Sequence, residues 1–150
     1  SFVALRVHMT KIPQLVALFN GFGGGASALV AGAALEQTLI HAGRTTTQIA
    51  IAAGLSGFIG SLTLLGSLIA FLKLHSIISE RPIMLPARHF LAGLMLIACI
   101  GLVSWFTIDP SSTLAFWILI GIASLFGILL VIPIGGADMP VVISLLNSYS

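Results

Sequence analysis

Ionised side chains divide this chain into long apolar runs. The intervals Lys11 to Glu36, Arg44 to Lys73, His89 to Asp109 and Asp109 to Asp138 each hold about 19 to 28 residues without Asp, Glu, Lys or Arg, against the roughly 20 that carry a helix across about 30 Å of hydrocarbon. A membrane-spanning strand of about 10 residues would alternate in polarity, and these runs do not. The pattern predicts an all-α integral membrane protein, a transmembrane bundle of four complete helices over about 12–35, 46–72, 90–108 and 113–134. A fifth helix, over about 138–150, starts near Asp138 and reads as truncated, and with the non-Met start at Ser1 it predicts a fragment of a longer polypeptide.

Polar and small residues within the runs follow helical spacing. Asn20, Gly24, Ser27 and Ala31 share one face of the first segment, Ser56, Gly60, Thr63 and Ser67 one face of the second, and Pro140, Ser144 and Asn147 one face of the fifth. The third and fourth segments carry bulky Leu, Ile, Phe and Trp almost all round, so they are expected to face lipid while the other three line an interior seam. Asn20 lies nine residues beyond Lys11 and Asn147 nine beyond Asp138, which puts both carboxamides about 13 Å into the membrane from the same side. A carboxamide both donates and accepts, as a water-lined proton path requires. The competing reading is packing: Ser, Thr and Asn bond neighbouring helices at about 0.6 kcal/mol each, and small residues let helices approach.

Composition removes the soluble alternative. At 58% hydrophobic and 7% charged, with mean hydropathy +1.17, the chain has too little polar surface to cover a core in water. The basic residues give an orientation: Arg6 and Lys11 precede the first segment, Lys73, Arg81 and Arg88 lie between the second and third, and the third and fourth are joined without Lys or Arg. The positive-inside rule then puts the N-terminus, the 73–89 loop and the turn at Asp138 in the cytoplasm, with Trp105 and Trp117 at the outer interface. The sequence pI near 9.2 is therefore topological, and no nucleic-acid partner is expected.

Other chemistry is sparse. His8, His41, His75 and His89 lie near loops or span edges, too scattered for a metal site, and Cys99 is alone. Residues 21–26, GFGGGA, fit the dinucleotide-binding pattern G-x-G-x-x-G/A, but that fingerprint needs a βαβ context, and within a span it predicts close helix packing. No Asp, Glu, Lys, Arg or His lies mid-span, although such residues are the usual carriers in proton relays. Proton movement would need water and polar side chains, or a titratable group on another helix. Asp138, just before Pro140, suits a helix N-terminus, where the macrodipole favours an acid.

The segments MTKIPQLVALFNGFGGGASALVAG, SLTLLGSLIAFLKL, RPIMLPARH and above all IGGADMPVVISLLNSYS closely resemble the membrane domain of the β subunit of proton-translocating NAD(P)+ transhydrogenase. The resemblance covers nearly the whole chain and implies the family's ninth to thirteenth membrane helices. It further implies a helix and a soluble NADP(H)-binding domain after Ser150, an α subunit or α part with the NAD(H) domain and the remaining membrane helices, and a homodimer of the complete enzyme in the bacterial cytoplasmic (inner) membrane. Hydride passes from NADH to NADP+ in the soluble domains of such enzymes, coupled to inward proton movement, so no cofactor and no hydride-transfer residue is expected within these 150 residues. By position, the resemblance assigns Asn147 and Ser67 to the proton path and Asp138 to coupling with the NADP(H) domain. With Asn20 and Ser144 of the polar stripes they form the candidate site. Asn20 stands where some members carry a histidine thought to be protonated in transport, which implies a titrating group elsewhere, such as a histidine on a partner-subunit helix. Two other classes fit the pattern less well: an ion-coupled transporter of small solutes, for which no internal repeat is visible, and a structural membrane anchor.

Overall fold

The computed structural model describes residues 11–42, 46–84, 86–109 and 113–149. Arg6 of the expected orientation, His8 of the histidine pattern and Arg44, which bounds the second apolar interval, lie outside them, as does Ser150. Among the described residues there are five α-helices and no strand: α1 (Ile12–Ala42), α2 (Thr47–Leu74), α3 (Arg88–Ile108), α4 (Thr113–Val131) and α5 (Met139–Tyr149), the last preceded by a single 3-10 turn, Gly136–Asp138. The first four are long and apolar enough to cross a membrane. Their outer surface carries Phe19, Phe22, Leu29, Ile97 and Ile108 exposed, a surface that would associate in water and is stable against lipid or further helices.

Local chemistry sets the boundaries. Thr46 caps α2 through its side chain, accepting from the Ile49 amide at 3.4 Å. The other end of α2 closes with the Ile77 amide on Leu72 O and the Ser76 amide on Lys73 O, both at 3.0 Å, with Ser76 in the left-handed region at φ 56°. This is a Schellman closure with serine where glycine is usual. Pro133 stands just beyond α4 and Pro140 in the first turn of α5, the positions a helix tolerates. α1 continues through Glu36 to Ala42, seven residues past position 35, because a helix need not end where hydrocarbon ends.

α2 is the central helix and touches the other four, most extensively α1 and α4. Its buried face is built from small residues plus Thr63 and Lys73, so backbones meet. A Cβ placed on Gly60 would lie 2.5 Å from Gly24 O, and one on Gly127 of α4 would lie 2.5 Å from Leu62 O. In a bilayer, where lipid tails are as apolar as leucine, such close approach and its dispersion contacts hold helices together. One core cluster joins Leu35, Ala50, Ala53, Phe106 and Phe116 at the α3–α4 connection; another joins Ala17, Ala70, Val131, Met139 and Ile143 at the opposite end.

The expectation that α3 and α4 both face lipid is corrected for α4. Ala115, Phe116, Leu119, Ala123, Phe126, Gly127, Leu129 and Val131 of α4 are buried, whereas α3 buries only Cys99 and Phe106. The bulky residues of α4 fit the glycines of α2: the Phe116 ring comes within 2.8 Å of where a Gly57 Cβ would stand.

Candidate functional site

Glycine places the polar residues. Gly21 and Gly24, from the GFGGGA segment, lie inside α1, and a Cβ on Gly24 would be 2.7 Å from Gly60 O while one on Gly21 would be 3.4 Å from Ser67 Cβ. This close seam brings Asn20 of α1 to Ser67 of α2. Both are buried, and Asn20 Nδ2 donates to Ser67 Oγ at 3.0 Å.

Asn20 also lines a groove of about 360 Å³ with Val16, Phe19, Gly23, Ser27 and Asn147. The two carboxamides, 127 positions apart in the numbering, thus border one recess. They can do so because α1 and α5 both begin at the end of the bundle where α2 finishes, as the bond from Gln14 Nε2 to Leu74 O (2.7 Å) and the bonds from Lys73 to the α4–α5 connection show. Ser27 continues the groove into two neighbouring recesses, one reaching Ser56, Gly60 and Tyr149, the other lined by Ala31, Ala34, Ala52 and Ala53.

The seam is open on one side. Asn147, Ser27 and Ser56 are exposed at the outer surface of this chain, while Asn20, Gly24, Gly60, Thr63 and Ser67 are buried between α1 and α2, so the interior seam expected of α1, α2 and α5 is closed between the first two and open along Ser27, Ser56 and α5. Ser144 is exposed as well and does not line the groove; its hydroxyl donates to Pro140 O at 3.0 Å, one turn back. Asp138 is exposed at the end of the 3-10 turn, its amide donating to Gly135 O at 3.1 Å, and about 13 Å of helix separates it from Asn147.

None of the side chains lining the Asn20–Asn147 groove ionises near neutral pH. Carboxamides and hydroxyls can order water and pass hydrogen bonds, but they hold no net charge. Among the described residues no group of three or more His, Cys, Asp or Glu is placed to hold a metal.

Lys73, read from sequence as a loop cation, is instead fully buried at the end of α2. The signal for its burial was its spacing: Thr63, Gly66, Ala70 and Lys73 follow one helical face, and all four are buried. Glu80 stays exposed and ties the loop after α2 to the turn before α5, accepting through its backbone carbonyl from the Gly136 amide at 2.9 Å and through Oε1 from Ser76 Oγ at 2.5 Å.

A polar groove on an apolar bundle, ended by an acid-bearing turn, can be set beside known proteins. The family model described as NAD(P) transhydrogenase beta subunit matches residues 1–150. Two curated sequences named NAD(P) transhydrogenase subunit beta, both from Rhodospirillum rubrum, are each 42% identical over 157 aligned positions that take in 99% of this chain and 32% of theirs. The chain therefore spans about a third of the length of these relatives. With the match running from its first residue to its last, the chain belongs to the NAD(P) transhydrogenase beta subunit family.

Proposed function

We propose that Asn20, Ser67 and Asn147 border a transmembrane proton path, and that the turn bearing Asp138 couples this path to a nucleotide-binding domain outside these residues. In the complete enzyme, inward proton movement would accompany hydride transfer from NADH to NADP+ in soluble domains that hold NAD(H) and NADP(H). Its partners would be an α subunit, the NADP(H) domain of the same polypeptide and a second copy of the whole assembly, in the bacterial cytoplasmic membrane with the 75–87 loop and the Asp138 turn on the cytoplasmic side. Ser144, bonded to its own helix, would act by shaping α5.

The observation that carries this reading is the Asn20–Ser67 hydrogen bond with Asn147 bordering the same groove, deep in otherwise apolar helices. Polar groups at that depth either bond helices together or border an ion's route, and an open recess beside them favours the second. Since nothing lining the groove titrates, the proton-carrying group would come from a neighbouring helix facing the open side, such as a partner-subunit histidine. Coupling would be a two-state switch: the NADP(H) domain binds the Asp138 turn differently in its two states and thereby shifts α5 and the side from which Asn147 is reached.

The test is Asn147→Leu in the complete enzyme in liposomes, with proton uptake and transhydrogenation measured together. Loss of both with NADP(H) binding retained is expected. Both rates intact would return Asn147 to helix packing.

A further inference from the structure

The burial of Lys73 asks for a reason, because taking an ammonium out of water costs several kcal/mol unless its donors are satisfied. Its Nζ donates to Ile132 O and, at 2.8 Å, to Ile134 O, in the connection that leaves α4. Backbone accounting explains why these carbonyls are available. A continuing helix would give Ile132 O the amide of Gly136, but that amide donates to Glu80 O; it would give Ile134 O the amide of Asp138, but that amide donates to Gly135 O. Both acceptors sit at the negative end of α4, where a cation is favoured.

The same turn of α2 holds α1, since Leu74 O accepts from Gln14 Nε2. Asn20 lies six residues along α1 from Gln14 and Ser67 six residues along α2 from Lys73, about 9 Å in each case. α1 and α5, the two helices that line the groove, are thus both referenced to two consecutive residues of α2, Lys73 and Leu74.

We propose that Lys73 is a positioning residue for the groove. By holding Ile132 and Ile134 it fixes the α4–α5 turn to the end of α2, and so sets where Asn147 stands relative to Asn20 and Ser67. This rests on the proton-path reading above.

The experiment uses the complete enzyme in liposomes, with a nitroxide on Ala137→Cys, an exposed position in the turn, in a background cleared of other reactive thiols. Lys73→Met removes the donors at similar length. The expected result is a more mobile nitroxide together with a fall in both proton uptake and transhydrogenation per assembled enzyme on the order of tenfold, within the hundredfold in rate that a misplacement of about 1 Å can cost. Lys73→Arg, which keeps the charge and the donors, should restore most of both rates and the nitroxide signal, whereas a residue needed only for folding would change yield and leave the rates and the signal of assembled enzyme alone. If Lys73→Met does not assemble, Lys73→Gln keeps an uncharged amide donor and should give intermediate rates and mobility. An unchanged nitroxide signal or unchanged rates per assembled enzyme overturn the assignment. Failure of the proton-path reading would show separately, as intact proton uptake in Asn147→Leu, while nitroxide mobility still reports whether Lys73 holds the turn.

Discussion

Gly60→Ala should break the Asn20–Ser67 hydrogen bond without altering either residue. The new Cβ would lie 2.5 Å from Gly24 O and 2.9 Å from Ala28 N. Both obstacles are backbone, so no rotamer relieves them, and α1 and α2 must separate by about 0.9 Å to restore ordinary contact. Seven residues further along α2, the Asn20–Ser67 distance is 3.0 Å. A rigid separation of that size takes it to about 3.9 Å, beyond a hydrogen bond. Overpacking of this kind costs about 1–3 kcal/mol. Thermal unfolding of the purified complete enzyme measures the cost, and proton uptake in liposomes measures the consequence at the groove. If the route runs through the bond, Ser67→Ala added to Gly60→Ala should cost about 1 kcal/mol less than Ser67→Ala alone, since contacting residues couple by about that much. Gly121→Ala is the control: an exposed glycine of α4 with open space around it, where alanine is neutral or stabilises by up to about 1 kcal/mol. A Gly60→Ala enzyme with wild-type melting and wild-type proton uptake would refute the reasoning.

Thr63 Oγ1 is buried with no hydrogen-bond partner among the described residues, and an unsatisfied buried hydroxyl costs about 1–3 kcal/mol; Thr63→Val keeps the shape and should raise the melting temperature, and a lowered one would put a bound water at that oxygen. Asp138→Asn removes a charge from the exposed turn and should change proton-linked NADP(H) affinity or turnover in the complete enzyme. Titration of NADP(H) binding against pH, together with steady-state rates, checks this, and identical behaviour in both counts against a coupling role.

The helices were legible because charge is so rare here: wherever Lys, Glu or Asp interrupts the apolar runs, the chain leaves the hydrocarbon, or nears its edge. Which helix faces lipid was not legible for α4. Leucine and phenylalanine suit a lipid tail and a glycine-lined groove equally, so Phe116 and Leu119 carry no outward sign of burial. The small residues that meet Phe116 from other helices, Gly57 of α2 and Gly32 of α1, held the missing information, and only in pairs across helices. For the candidate site, helical spacing and depth put Asn20 and Asn147 at one level, but could not tell that Ser67 is buried while Ser27 and Ser56 are exposed. Lys73 was misread for the opposite reason: a lysine at a span edge is expected to reach water, and here two backbone carbonyls left without their helical donors hold it inside.

The unequal lengths of the helices leave a handle on the protein. α4 has 19 residues and α1 has 31, about 28 and 46 Å, yet Gln14, Lys73 and Ile134 level their ends at the Asp138 side. The surplus therefore gathers at the other end. There Leu35 still packs with Phe116 and Ala50, while residues 36–42 run on for two more turns, about 10 Å, with Glu36, Gln37, Ile40 and His41 exposed. This overhang is the natural place for an epitope or a membrane-impermeant thiol reagent. It stands at the end of the bundle opposite Asp138 and away from the groove, so a reagent that cannot cross the bilayer would read from it the protein's sidedness.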